Sequence, residues 1–478
     1  MSRSPAVRPN LVVLVLALGG IVVSLMQTLV VPLIPRLPAL LHASAADSTW
    51  VITATLLAGA VATPVVGRLG DLYGKRRMLL VSLVLLVAGA VVAALSDTLV
   101  PMIVGRALQG LAAGVIPLGI SIMRDELPAE RLGSATATMS ASLGVGGALG
   151  LPAAAFLAEN TDWHVLFWVA AGLGVLVTVL VSTCVPESRT RARGRFDLVG
   201  AAGLSAALVC LLLAISKGAA WGWTSGATLG LFGAAAVVLL LWGWWELRTA
   251  SPLVDLRTTA RRQVLLTNLT SAVFAFAMFA MSLVLPQILQ LPVATGHGLG
   301  QSLLVTGLVL VPSGLVMLMI APLSARITST AGPKVTLMLG ILVVAAGYGL
   351  GVGLMSAVWQ LLLVSAVIGG GIGLAYGAMP ALIMGAVPVS ETAAANSLNT
   401  LMRAIGTSVS SAVAGAVLAQ LTVPFGPAAV PTEGAFRLVM ALGCATALAA
   451  LAIAAFIPGA RAVRPGPVQE RAMAGDRS

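Results

Sequence analysis

Residues 49–96 read TWVITATLLAGAVATPVVGRLGDLYGKRRMLLVSLVLLVAGAVVAALS. Two apolar runs, 49–67 and 78–96, flank a short segment that carries Arg68, Lys75, Arg76 and Arg77. As a helix, each run is long enough to cross about 30 Å of hydrocarbon. The runs are about twice the length of a barrel strand and lack its alternation, and backbone in lipid must satisfy its own hydrogen bonds, so they read as membrane helices. The pattern repeats along the chain, with spans at 11–33, 49–67, 78–96, 99–122, 133–157, 164–185, 198–217, 226–246, 264–288, 302–325, 336–356, 359–386, 392–420 and 435–458. Composition agrees: 59% of residues are hydrophobic, 9% are charged and the mean hydropathy is +1.03, more apolar surface than a soluble core buries. The reading is an all-α polytopic membrane protein with fourteen transmembrane helices.

The basic residues set the orientation. With both termini in the cytoplasm, all but five of the 27 lysines and arginines fall on that side, including Arg3, Arg8, Arg189 and the arginines after residue 458. Arg36, Lys217 and Arg437 fall on the other side, and Arg106 and Arg403 lie within spans. This bias is what the positive-inside rule demands, and removing one helix would invert everything downstream. The net charge of +11 is therefore a topology signal rather than a nucleic-acid footprint. Trp50, Trp163, Trp221, Trp223 and Trp359 near outer ends, and Trp242, Trp244 and Trp245 near an inner end, fit interfacial anchoring.

An internal echo divides the chain. Residues 105–135, GRALQGLAAGVIPLGISIMRDELPAERLGSA, parallel residues 369–397, GGGIGLAYGAMPALIMGAVPVSETAAANS. Pro117 pairs with Pro380, Pro128 with Pro388, and Gly144 with Gly406. The expectation is a six-helix bundle at 1–190, two additional helices and linkers at 191–262, a second six-helix bundle at 263–458, and a cytoplasmic tail at 459–478, since transporters are commonly built from such repeats.

The most distinctive loop is GRLGDLYGKRR, Gly67–Arg77. Gly67, Gly70 and Gly74 permit a tight turn, and Asp71 is a lone acid among bases. No phosphate-binding P-loop is spelled, because Lys75 is followed by Arg76 rather than Ser or Thr. Asp71 lies where two helix bundles can meet and is suited to accept hydrogen bonds from an arginine such as Arg124, or from free amides at a helix start. The alternative is a topology anchor with solvent-facing charges.

This loop resembles the signature between helices two and three of the major facilitator superfamily, with Gly67, Asp71, Gly74, Arg76 and Arg77 matching it. RALQG, Arg106–Gly110, resembles the family's helix-four arginine motif. Residues 49–71 and ELRTASPLVDL at 246–256 resemble the subgroup of fourteen-span drug:proton antiporters. The resemblance implies the major facilitator fold, a gating role for the loop, and a part in proton coupling for Arg106. One departure stands out. In that subgroup helix one often carries an aspartate some nine residues before a proline, and counting back from Pro35 reaches Met26, beside Gln27, which does not titrate in a useful range.

From the residues themselves, Arg106 inside a span costs several kcal/mol unless paired or facing a wet cavity, which with Gln109 nearby favours a cavity role over snorkelling. No acid falls at a midplane. Asp71, Asp125 and Glu126 are candidates to titrate during gating, with Asp47 and Glu246 as boundary alternatives. Span five contains LGVGGALGLP, Leu143–Pro152, in which Gly146 and Gly150 share one helical face and Gly147 broadens it for close packing. The segment resembles the family's helix-five antiporter motif, but Leu151 separates Gly150 from Pro152 and Ala154 and Ala155 replace its later glycines. In span thirteen Asn396, Asn399 and Arg403 share a face, in contact with substrate or with neighbouring helices. Gln287 and Gln290, with Phe274, Phe276 and Phe279, form a candidate amphipathic route.

His42, His164 and His297 are isolated, and Cys184, Cys210 and Cys444 have no zinc or redox spacing. No catalytic triad, metal cluster or cofactor motif is expected, so the chain reads as a transporter rather than an enzyme. The expected function is proton-coupled export of a small hydrophobic or amphiphilic solute from a bacterial plasma membrane, with membrane lipids and protons as its other partners. A lipid or endogenous hydrophobic metabolite is the alternative cargo. A membrane-embedded transferase and a non-transporting scaffold or sensor are the readings of other classes.

Overall fold

The computed structural model describes residues 9–33, 36–188, 190–425 and 428–458. Arg3, Arg8, Pro35, Arg189 and the tail from residue 459 lie outside the described residues. Fourteen helices among the described residues are long and apolar enough to cross a membrane: α1 (Pro9–Thr28), α2 (Trp50–Tyr73), α3 (Lys75–Ala94), α4 (Leu99–Glu126), α5 (Glu130–Leu157), α6 (His164–Cys184), α7 (Leu198–Trp221), α8 (Gly226–Arg248), α9 (Arg262–Gln290), α10 (Leu303–Ala331), α11 (Pro333–Gly353), α12 (Val358–Met384), α13 (Val389–Gln420) and α14 (Glu433–Ala455). One face carries Asp71, Arg124 and most of the arginines and is called the basic face below.

Local chemistry sets the helix ends. Asp197, Ser225, Ser302 and Thr432 each accept a backbone N–H at the start of a helix, satisfying donors that have no partner within it. α2 and α10 each end on a glycine with positive φ, Gly74 at 118° and Gly332 at 89°, and α3 and α11 start at the next residue. α4 tightens into a 3-10 turn at Leu111–Gly114, just before Pro117, which has no N–H to continue the ladder. α1 ends five residues before its expected limit and is followed by a 3-10 turn at Val31–Leu33.

The sequence reading missed short helices at Leu37–Leu40, Ala45–Ser48 and Leu256–Thr259, and a strand pair. β1 (Thr422–Phe425) and β2 (Ala428–Pro431) pair antiparallel, with Val423 opposite Val430, between α13 and α14. Each strand is four residues long and contains a proline, so there was no run of alternating apolar residues to read.

Packing separates four apolar clusters among the described residues, the least of them Val264 of α9 with Ile383 of α12 and Val387. The largest fills the space among α1–α6, a second fills α9–α14, and a small one joins Leu204, Leu208 and Leu212 of α7 to Ala60 of α2 and Leu398 and Leu401 of α13. Burial grades with position: 78% of the apolar window of α12 is buried within the protein, against 11% for α8, which packs on α7 and otherwise faces lipid. Asp197 holds that pair together by accepting the indole N–H of Trp245. The echo between halves persists in three dimensions with one adjustment. Gly146 lies against the Ile21 carbonyl of α1, and Gly406 lies against the Ala272 carbonyl of α9. Gly146, rather than Gly144, is the counterpart of Gly406, and the two follow Pro128 and Pro388 at the same distance along the chain.

Candidate functional site

The 67–77 loop is built into a seam between the first six helices and the last six. Close approach comes first: a β-carbon at Gly67 would sit 2.9 Å from the Ala393 carbonyl oxygen and 2.7 Å from the Ser397 β-carbon, so only glycine lets α2 lie this near α13. That approach delivers Asp71, which is fully buried, to the start of the regular helix of α13. Its Oδ1 accepts the Ala393 N–H at 3.2 Å and its Oδ2 accepts the Ala394 N–H at 2.8 Å. A carboxylate here satisfies two orphan amides and opposes the positive end of the helix dipole.

Arg124, near the end of α4, does the converse. Its guanidinium donates to the carbonyls of Met384 at 2.8 Å and Val387 at 3.1 Å, where α12 ends, and to Thr392 Oγ1 at 2.6 Å. A cation therefore caps the negative end of one helix of the second half, while an anion caps the positive start of the next. The turn from α12 to α13 is gripped from both sides by α2 and α4. Asp71 and Arg124 do not bond each other; each takes a backbone terminus instead.

Behind this grip lies a residue that the sequence reading did not rank. Lys75 is fully buried, with its Nζ 2.7 Å from Asp125 Oδ2 and 3.9 Å from Asp71 Oδ1. The Ser188 hydroxyl also donates to Asp125, and the Asp71 carbonyl accepts the Ala192 N–H, so the segment after α6 is stitched beneath the loop. Arg76 donates through its side chain to the Ser182 carbonyl, and its N–H reaches Glu187 Oε1. Arg77 is exposed. A β-carbon at Gly74 would crowd Glu187 Oε1 at 2.7 Å, in addition to its positive φ.

At the far end the two halves separate around a cavity of about 770 Å³. Its walls run from Val31, Gln290 and Leu303, near the face opposite the bases, down to Gly144, Met317 and Tyr376 at mid-depth. α1, α5, α9, α10 and α12 all contribute. α5 forms one wall because both its flanks carry small residues. Gly150 lies against Leu25 and Thr28 of α1, Gly314 of α10 approaches the Gly144 carbonyl and Ala148, and Gly307 of α10 approaches Pro152. Gly147 faces the cavity between these contacts.

The remaining candidates disperse. Arg106, 2% exposed, does not line this cavity: it donates to the carbonyls of Met26 at 3.1 Å and Val51 at 3.4 Å and to Gln109 Oε1 at 2.6 Å, joining α1, α2 and α4 inside one bundle. The Met26 side chain is buried in the same bundle, and Gln27 is exposed on α1. Asn396 bonds the Thr392 carbonyl, and Asn399 reaches Asn268 and Ser271 of α9, so neither opens onto the cavity. Arg403 lies over the Tyr376 ring, 4.5 Å from its centroid, and donates to Thr400. Gln287 and Gln290 line the cavity, whereas the adjacent methionines Met278 and Met281, not the three phenylalanines, accompany them. Glu246 is buried at the foot of α8 against Gly200, away from the cavity. No group of three or more potential metal ligands occurs among the described residues.

Tyr376 was the site residue most open to detection. It is one of only three tyrosines, set in the glycine-rich span that echoes α4. The chain is similar to several known proteins. An uncharacterized MFS-type transporter of Mycobacterium tuberculosis is 31% identical over 313 residues, covering 64% of this chain and 45% of the relative. The tetracenomycin C resistance and export protein of Streptomyces glaucescens is 29% identical over 341 residues, covering 71% and 62%. The chain thus spans between about half and two thirds of these relatives' length. The crystal structure of the human organic anion transporter MFSD10 (TETRAN) shares the fold, with a TM-score of 0.67 at 16% identity over 95% of this chain and 100% of that one. The model of the Major Facilitator Superfamily matches residues 16–411, and the chain belongs to that family.

Proposed function

We propose that the protein is a proton-coupled secondary transporter of the fourteen-span drug:proton antiporter group, exporting a small hydrophobic or amphiphilic compound by alternating access. One observation supports this most. A cavity walled by both halves reaches mid-depth from one face, while the other face is clasped shut through Asp71 and Arg124. The bundles at 1–190 and 263–458 rock against each other, and 191–262 supplies two added helices. The basic face is cytoplasmic in a bacterial plasma membrane, by the charge bias of the loops and the bacterial source of the curated relatives. The export protein for tetracenomycin C among those relatives supports a small organic cargo.

In this cycle the clasp holds the outward-open state, and inward opening requires Asp71 and Arg124 to release the α12–α13 turn. Each charge-assisted bond released costs roughly 1.5–3 kcal/mol, so the barrier is substantial and tunable. Arg106 couples charge to the motion by joining three helices of the bundle that moves. The test is solute-dependent proton flux in reconstituted vesicles under an imposed pH gradient, with a panel of amphiphilic compounds. Absence of coupled flux for every compound that is exported overturns the antiport mechanism. Arg106→Ala is expected to lower coupled flux about tenfold while inserting normally, and unchanged flux removes Arg106 from coupling.

A further inference from the structure

The membrane interior carries an unbalanced charge. Arg106 and Arg403 lie within it, and among the described residues no carboxylate does: Asp71, Asp125, Glu246 and Glu391 sit at the basic face, and Asp47, Asp97, Asp162 and Glu433 at the other. Arg106 is enclosed by carbonyls in its own bundle. Arg403 is different. It is 8% exposed, makes no ion pair among the described residues, and stacks on Tyr376, whose ring belongs to the cavity lining. A cation held in a membrane protein without a counter-ion is costly and is retained for function.

The rest of the lining carries no negative charge to pair with a positive solute. Among the described residues it contains no Asp, Glu, Lys, Arg or His; its polar members are serines, Thr28, Gln287, Gln290 and Tyr376. The Tyr376 ring, the natural seat for a cation, already carries a guanidinium. Met278, Met281 and Met317 give a soft wall that adapts to flat aromatic surfaces.

We propose that this cavity selects anionic amphiphiles, namely small aromatic carboxylates or phenolates, over cations, and that the Tyr376–Arg403 pair at its floor sets the preference. The assignment rests on the export reading above and adds the charge of the cargo. One unit charge acting across a single side-chain layer of protein interior supports a discrimination of about tenfold.

The experiment uses the full-length protein in vesicles and three probes on one ring system: pyrenebutyrate, its methyl ester and pyrenebutyl-trimethylammonium. The carboxylate is expected to be transported at least tenfold faster than the ammonium, as kcat/KM. Arg403→Gln should bring the carboxylate-to-ester ratio down about tenfold, and Arg403→Lys, which keeps the charge, should restore most of it. The ratio is independent of how much protein folds. Transport of the ester or ammonium with exclusion of the carboxylate, or an unchanged ratio in Arg403→Gln, overturns the assignment and leaves the export reading standing. Transport of none of the three overturns both.

Discussion

The turns after α2 and after α10 are built alike and do different things. Each is a single glycine with positive φ joining two membrane helices, with a lysine close behind: Lys75 after Gly74 and Lys334 after Gly332. Three residues before its glycine the first turn has Asp71 and the second has Ser329. Asp71 crosses the seam to α13, whereas Ser329 turns back to the Arg326 carbonyl of its own helix. Lys75 is buried between two carboxylates, whereas Lys334 is half-buried and caps the Ala455 carbonyl. The same backbone device carries a contact across the seam in one half and is a plain turn in the other. Side-chain charge, not the turn itself, decides which.

The strongest way to break this contrast is to remove its charge. Asp71→Ala leaves two amides of α13 unpaired and forfeits two charge-assisted bonds, about 3–6 kcal/mol of closure. Export in vesicles should fall at least thirtyfold, and spin labels at the basic ends of α2 and α13 should move apart, while Ser329→Ala should stay within twofold on both measurements. Equal effects at the two positions would falsify the clasp.

A somewhat smaller effect is expected from the lysines. Lys75→Met strands Asp125 and Asp71 as buried carboxylates and should destabilise the protein by about 3–5 kcal/mol in thermal denaturation in detergent. Lys334→Met should cost less than about 0.5 kcal/mol. A comparable drop in both would mean that burial of Lys75 does not matter.

The smallest effect is at the far face, where each ion pair among the described residues stays within one half: His164 with Asp97 and Asp162, and Arg437 with Glu433. The Asp162 carboxyl is held below its usual range, first by the His164 backbone N–H and then by the His164 ring. A depressed carboxylate stabilises the fold above its ordinary pKa of about 4 and loses that contribution as pH falls further. With the side chain 65% exposed, solvent screening limits this to under about 0.5 kcal/mol. Asp162→Asn should therefore flatten the acid limb of stability slightly and leave export unchanged. A loss of export would show that charge at this face also gates.

Much of the clasp was legible in the sequence because its elements are local: three glycines at close spacing, a lone acid, and an arginine at the end of the fourth span. Amides at a helix start were among the partners proposed for Asp71, because any helix start leaves such donors. What could not be read depends on distant packing. Lys75 outranks Arg76 and Arg77 only because Asp125 and Ser188, 50 and 113 residues further on, fold beneath it. Arg106 was expected to face a cavity, and the carbonyls that enclose it have no signature in side-chain chemistry. The cavity wall combines residues from five helices, and in an apolar span nothing distinguishes a lining methionine from a packing phenylalanine.

The placement of α7 and α8 leaves the packing of the two large cores independent of them. α7 rests on both α2 and α13, and Lys217 at its far end donates to Thr49 at the start of α2, yet neither large apolar cluster contains a residue of α7 or α8. In lipid, a leucine surface that loses its neighbour meets acyl chains of equal polarity, so removing the pair exposes nothing that water would punish. Neither large core therefore depends on α7 or α8 for its own packing.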